Sequence, residues 1–366
     1  MLQPTMPLTR HGGCREEYRE RFGGEPLDFS ANVNPYGMSP AAREAAIAAV
    51  DQAIYYPDPK SRQLVSAIAA HDGVNESCVC VGNGAADLII RLAAALAPRR
   101  ALVLAPTFSE YEDALVQAGC QVQRYTLAER CGFVPTASLI DDVVDGIDAV
   151  FVCEPNNPTG LCMGRGLLLA LLAKCREVGA VLVVDECFNG FLPNPASSSI
   201  KDQVENEKGL VVLRAFTKLY GMAGLRLGYL LCSDAGILAR IEAHGQSWPV
   251  SCVAQAAGVA ALTDGEWVDT CLQKIADSRA KLACDLTALG LEVWPGQANY
   301  LMFRSPMTGL YQQLAQHGVL VRDCSNYHGL GPGFYRVAVK DPESNDRLVK
   351  AIGDVLARAA QEKGQR

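Results

Sequence analysis

The 366-residue chain reads as an α/β protein, with a large domain built on a mostly parallel sheet and a smaller α+β domain after it. Three observations predict this. Between Cys78 and Leu231, short and almost wholly apolar runs alternate with helical stretches. Such runs belong to strands covered on both faces, as parallel strands are. The length exceeds what one core usually serves, and 49% hydrophobic against 20% charged residues can fill a sizeable interior.

The elements follow in order. Met1–Phe29 is polar and predicts no regular element; its His11-Gly12-Gly13 is either a hinged loop carrying an imidazole over a site or a solvated residue, the commoner case. DFSANVNPYGMSP is too rich in Asn, Pro and Gly for a regular element, and Asn32 in it either presents its amide to a ligand or caps its own turn. Ser39 and Pro40 are an N-cap and a first-turn proline for a helix over Ala41–Ala53, broken at Pro57; Ser61 or Arg62 starts another, to about His71. Strands are expected at Cys78–Gly82, Ala101–Pro106, Gln121–Tyr125, Asp148–Cys153, Ala180–Asp185, Leu210–Leu213 and Tyr229–Leu231. Helices fill the gaps to Ala97, over Tyr111–Ala118 and from about Arg165 to Val178. Beyond them come a helix over Asp234–His244 capped by Ser233, a turn at Ser247–Ser251 whose Trp248 either faces substrate or is buried, and a helical stretch from about Ser251 to Leu289 broken near Asp264-Gly265. The smaller domain reads as strands in LEVWP, ANYLMFR, GVLVRDC and FYRVAVK. A closing helix runs from Glu343 to about Ala360, capped at Ser344 or Pro342, before a fraying QEKGQR tail. The division expected is an N-terminal arm (1–40) joining the small domain, a large domain (41–260) and a small C-terminal domain (261–366).

Charge and composition narrow the function. A net charge of −7 with no basic tract disfavours nucleic acid and anionic membranes as partners. No leader-like apolar segment or run of membrane-spanning length is visible, so a soluble, cytoplasmic protein is expected. The fourteen cysteines include no C-x-x-C pair and several sit in apolar runs, which predicts reduced, structural thiols; the five histidines show no metal-ligand spacing.

In open α/β sheets ligands bind at the carboxyl ends of the strands, and the residues leaving those ends here are chemically useful. Gly84-Ala85-Ala86 turns into a helix whose free N–H groups can hold a phosphate. Phe108 can lie flat on an aromatic ring, and Asn157, in a turn fixed by Pro158 and Gly160, can donate to a phenolate. Asp185 ends a buried strand, where a carboxylate is costly unless it meets a cation such as a pyridinium N–H. Thr217 and Lys218 lie between two core strands, where desolvation can lower an ammonium pKa enough to make a nucleophile; Arg226, flanked by glycines in GLRLG, can clamp an anion. Singly each is a common loop residue. Together they describe a pyridoxal 5′-phosphate site.

The order NNPTG, VVDE, TK and GLRLGY resembles the fold type I pyridoxal-phosphate enzymes, the aspartate aminotransferase superfamily, and in particular their histidinol-phosphate aminotransferase branch. The resemblance implies that Lys218 forms the imine with the cofactor and later moves protons, while Asp185 pairs with the pyridine nitrogen and Asn157 with the ring hydroxyl. It implies that Phe108 stacks on the ring and that Gly84, Ala85, Ala86, Thr217 and Arg226 hold the phosphate. Tyr56 would reach the phosphate in a partner subunit, which implies a homodimer with shared sites; Arg336 would grip the substrate α-carboxylate and Arg322 a distal phosphate.

Two positions depart from that pattern. Ala215 stands where many members place a hydroxyl on the cofactor phosphate, and Phe188 where aminotransferases usually have a tyrosine. With HGG, DFSANVNPYG, PGQANYL and RDCSNYHGL, Phe188 makes the chain similar to the threonine-phosphate decarboxylases of cobalamin biosynthesis. That resemblance implies a small phosphorylated amino acid as substrate, with His11, Asn32 and Arg322 at its far end, and loss of CO₂ from L-threonine O-3-phosphate to give (R)-1-amino-2-propanol O-2-phosphate. The alternatives are an aminotransferase acting on histidinol phosphate or an aromatic amino acid, and a non-catalytic binding protein such as a regulator that kept the fold; no basic DNA-binding module is present to support the last.

Overall fold

The computed structural model describes residues 5–7, 9 and 11–364. Seven strands form the main sheet in the order Val79–Gly82, Gly228–Leu231, Leu210–Ala215, Val181–Asp185, Ala149–Cys153, Arg100–Ala105 and Gln121–Thr126. Only Gly228–Leu231 runs against its neighbours; the other pairings from Leu210–Ala215 onward are parallel. The parallel register sets Cys153 beside Asp185 and Asp185 beside Leu213, so the carboxyl ends of three central strands open on one place. Apolar clusters cover both faces, one led by Leu64, Leu182 and Val212, the other by Leu88, Leu115 and Val183.

A second, antiparallel sheet has the order Arg322–Asp323, Phe334–Ala338, Tyr300–Arg304, Glu292–Val293. Leu27–Asp28 pairs in parallel with Val319–Leu320 in a two-stranded sheet, which ties the start of the chain to its last quarter. Both pack in a third apolar cluster that joins Tyr18 and Phe29 to Leu301, Phe303 and Val337.

Several expectations need correction. The segment read as irregular contains a helix, Arg15–Phe22, and the strand Leu27–Asp28. That helix is mostly charged and carries the Glu17–Arg21 pair at 2.9 Å; its apolar face is one i,i+4 pair, Tyr18 stacked on Phe22 at 4.8 Å, too short a stripe to read as a helix. The helix opened by Ser39, whose hydroxyl accepts from Ala42 N–H as expected, ends at Ala49 and tightens into a 3₁₀ turn over Val50–Ile54. Asp234, not Ser233, caps the following helix, accepting from Gly236 and Ile237, because a carboxylate one residue nearer outcompetes the hydroxyl. GVLVRDC is not one strand: it breaks at Val321, and its halves pair in different sheets. The closing helix spans Pro342–Gly364; Asp341 caps its start by accepting from Ser344 N–H and hydroxyl, and the helix runs through most of the tail expected to fray. Gln365 and Arg366, the end of that tail, and Met1–Pro4 of the start lie outside the described residues. All fourteen cysteines are free thiols, and no helix among the described residues is long and apolar enough to cross a membrane.

Candidate active site

A pocket of about 440 Å³ opens where the main-sheet strand ends meet the second sheet and the N-terminal arm. Ala85, Ala86, Phe108, Asn157, Asp185, Thr217, Lys218, Arg226, His11, Asn32, Arg322 and Arg336 all line it. Gly84, which precedes Ala85, is not among the lining residues. Tyr56 does not reach it: this side chain is 77% exposed and stacks on Trp248, with ring centroids 4.3 Å apart, and Trp248 likewise stays outside.

Lys218 is carried on the turn after Leu210–Ala215, and the turn is pinned from an unexpected direction. Asn34 of the Pro/Asn-rich loop donates its N–H to Lys218 O at 2.9 Å and its amide to Leu219 O at 2.8 Å. Lys218 as a whole is half-buried, and its ammonium lies 5.4 Å from the Phe188 ring. Burial, with the Arg336 and Arg226 guanidiniums nearby, pushes its pKa down to about 8, while Asp185 pulls the other way. Asp185 is buried, and its two oxygens accept from Tyr111 hydroxyl at 2.5 Å and from Cys187 N–H at 2.9 Å. Burial and the neighbouring carboxylate keep the Tyr111 phenol protonated. Asn157 is displayed by a loop that Asn156 organises, accepting from Thr107 and donating to Pro106 O, while Tyr300 hydroxyl donates to Asn156 O.

Arg336, 5% exposed, reaches the same floor from the second sheet. It donates to the side-chain Oδ1 of Asn157 and, at 2.8 Å, to Ser30 O. With its oxygen turned toward the guanidinium, as its neighbours demand, the Asn32 amide accepts from Arg336 Nε at 3.2 Å. These partners are all neutral. Among the described residues no carboxylate pairs with Arg336, so the buried guanidinium keeps its charge available for an anion. Arg322, also 5% exposed, lies 5.0 Å over the Tyr327 ring and donates to Asn326 at 2.8 Å.

The family model "Aminotransferase class I and II" matches residues 25–352. The chain belongs to this family. It is 37% identical over 352 residues to a threonine-phosphate decarboxylase of Salmonella typhimurium, covering 94% of this chain and 96% of that one. It is 33% identical over 353 residues to a histidinol-phosphate aminotransferase of Nitratidesulfovibrio vulgaris, covering 94% and 92%. The structure is similar to that of histidinol-phosphate aminotransferase from Sinorhizobium meliloti in complex with pyridoxal-5′-phosphate, with a TM-score of 0.86, 20% identity and coverage of 97% and 96%.

This member of aminotransferase class I and II is therefore a pyridoxal-phosphate enzyme of the aspartate aminotransferase-like fold, and the residues present fit that cofactor. Gly84 begins the Ala85–Leu96 helix at φ +84° with no side-chain cap, and a Cβ there would lie 2.6 Å from Arg226 Nη2. The missing side chain leaves room for uncapped N–H groups and a guanidinium to meet one phosphate. Asp185 is a buried carboxylate with no ion pair among the described residues, suited to a cationic ring N–H.

Sequence reading missed six contributors. Tyr111 was placed only as the start of a helix, yet it braces Asp185; its spacing of three from Phe108 is the signal that could have found it. Asn34 gave no local signal. Glu186 and Arg214 pair at 2.6 Å, and Arg214 also meets buried Asp72 at 3.1 Å, tying the ends of two adjacent strands beneath the site. Cys153 and Cys187, read as generic core thiols, line the pocket beside Asp185.

Proposed function

We propose that the chain removes CO₂ from L-threonine O-3-phosphate, giving (R)-1-amino-2-propanol O-2-phosphate for cobalamin biosynthesis. One observation carries the reading: two nearly fully buried arginines, Arg322 and Arg336, line one pocket with Lys218 and Arg226. With Arg226 given to the cofactor phosphate, the two remaining guanidiniums match a substrate bearing both a carboxylate and a phosphate. Histidinol phosphate itself carries one such anion, but the dicarboxylate that an aminotransferase must also bind carries two, so the choice between the two reactions leans on sequence similarity. The 37% identity to a threonine-phosphate decarboxylase supports decarboxylation.

The bound cofactor supplies an electron sink for the pair released when a bond to Cα breaks. The chain's residues do the rest. Lys218 anchors the cofactor covalently and returns a proton to Cα. Asp185, held by Tyr111 and Cys187 N–H, keeps the ring nitrogen protonated, and Asn157 donates to the ring hydroxyl. Phe108 covers the ring face; the Gly84–Ala86 turn, Thr217 and Arg226 bind the cofactor phosphate, with no hydroxyl contribution from Ala215. Arg336 holds the substrate carboxylate, and its rigid seat sets how that group stands to the ring plane, which decides which Cα bond breaks. His11, Asn32 and Arg322 receive the distal phosphate. The same reading divides the chain into the arm (1–40), large domain (41–260) and small domain (261–366). It also pairs two copies through Tyr56, whose exposed neighbours Ile54, Tyr55 and Trp248 form an apolar surface.

The test is an incubation of purified holoenzyme with L-threonine O-3-phosphate and no oxo acid, measuring CO₂. Stoichiometric release supports the proposal. Glutamate formation from histidinol phosphate and 2-oxoglutarate, without CO₂ from the threonine ester, would make the chain an aminotransferase instead.

A further inference from the structure

A carboxylate lines the end of the pocket where the distal phosphate is expected. Glu110 and His11 both face that space. Beside a phosphate a carboxylate weakens binding unless it acts through something else. Glu110 Oε1 lies 2.8 Å from His11 Nε2, and this is its only ion pair among the described residues. Because a carboxylate only accepts, the contact fixes which ring nitrogen of His11 bears the hydrogen and where the ring points.

The backbone around His11 is already held. A Cβ on Gly12 would lie 2.1 Å from Ser30 O, so only glycine lets the arm pass this close, and Gly13 N–H donates to Ser30 Oγ at 2.8 Å. On the other side, Thr9 O accepts from Asn326 at 3.3 Å, and Asn326 accepts from Arg322 at 2.8 Å. The arm is thus tied to the segments that carry Asn32 and Arg322. The imidazole itself is 48% exposed and touches Phe108 only edge-on, with centroids 5.9 Å apart, so little besides Glu110 restricts its rotamer.

We propose that Glu110 is a positioning residue: it orients the His11 imidazole, at the mouth of the site, for the phosphate of the substrate. The inference rests on the functional reading above in assigning a phosphate to this end. It accounts for an acid at the end of the pocket that also holds Asn32 and Arg322, away from Asp185 at the cofactor end. A purely structural role is weak, because Glu110 opens a helix whose first turn also holds Glu112 and Asp113, which serve the helix dipole without it.

The experiment compares holoenzymes carrying Glu110→Ala, Glu110→Gln, His11→Ala and the Glu110→Ala/His11→Ala pair. Turnover of L-threonine O-3-phosphate is measured, and its binding is followed separately by the visible absorption of the cofactor. Glu110→Ala is expected to raise KM and the dissociation constant about tenfold with kcat within about twofold. Glu110→Gln, which keeps an acceptor oxygen, should recover most of that loss. In the His11→Ala background the second change should add nothing. Additive losses, a fall in kcat at unchanged KM, or wild-type affinity in Glu110→Ala would overturn the inference while leaving the decarboxylase reading intact. A wild-type enzyme that neither binds nor decarboxylates the threonine ester would remove both.

Discussion

The two ends of the pocket are built differently. The cofactor end is made from consecutive strand ends of one sheet: Asp185 is in register with Cys153 and Leu213, and Lys218 follows the next strand. The substrate end is made from pieces remote in sequence: His11 on the arm, Asn32 in a loop, Arg322 and Arg336 on strands of the second sheet. The first arrangement is rigid because neighbouring strands share a hydrogen-bond ladder. The second depends on side chains that bind one another, as Arg336 binds Asn157, Ser30 and Asn32. Damage at the cofactor end should therefore remove chemistry, and damage at the substrate end should remove affinity.

The largest expected effect is at Lys218. Replacement by Ala should cost at least about 10⁴-fold in kcat and abolish the visible absorption of the covalently held cofactor, while leaving the fold intact. Arg336→Ala comes next. It should raise KM for the threonine ester about 100-fold with a much smaller change in kcat, since a buried cation facing an anion is worth a few kcal/mol. If it instead released the cofactor, the two ends would not be separable, because the Asn157 contact would matter more than the substrate. Tyr111→Phe sharpens the contrast from the other side. Without the 2.5 Å hydrogen bond to Asp185, kcat should fall about tenfold and cofactor affinity weaken, with KM little changed.

The cofactor end was legible because a sheet imposes a rule. Once apolar runs alternate with helices, the residues after each strand must gather at one edge, and Asn157, Asp185 and Lys218 follow from spacing and chemistry. No such rule joins His11 to Arg322, or Asn34 to the lysine turn: those meetings come from how the arm and second sheet pack; resemblance pointed to the first, and nothing in the sequence pointed to the second. Tyr111 was hidden for a related reason. Its side chain looks like core from sequence, and it is core, but its hydroxyl has a task. The polar Arg15–Phe22 helix and the split at Val321 were missed because local pattern carries no sign of partners supplied from far along the chain.

Smaller effects concern pH. Lys218, with its pKa near 8, should take up cofactor into the apoprotein faster as pH rises toward about 8 and level off above it, where the amine is already free. Rapid mixing at several pH values measures this; a rate still climbing through pH 10 would mean the ammonium is not desolvated. Glu154, buried just before the Asn157 loop, accepts from Met163 and Gly164 N–H at 2.9 and 3.1 Å, yet burial pushes its pKa up to about 7. A raised carboxyl pKa means the folded state holds the proton longer. Its stabilising share is full below about 4.5 and is lost as pH rises through about 7. Relative to Glu154→Gln, the wild-type Tm should therefore decline across that window, and parallel Tm profiles for the two proteins would contradict the assignment.

Whether the carboxylate rather than the hydrogen leaves Cα is read most directly by running the reaction on L-threonine O-3-phosphate in D₂O. Mass spectrometry and NMR would then examine the 1-amino-2-propanol phosphate. Decarboxylation leaves a single deuterium at C1, because the original Cα hydrogen is kept and one solvent deuteron replaces CO₂. Two deuteriums at C1, α-deuterated substrate, or an oxo acid in place of the amine would show that Lys218 breaks the Cα–H bond and would contradict it.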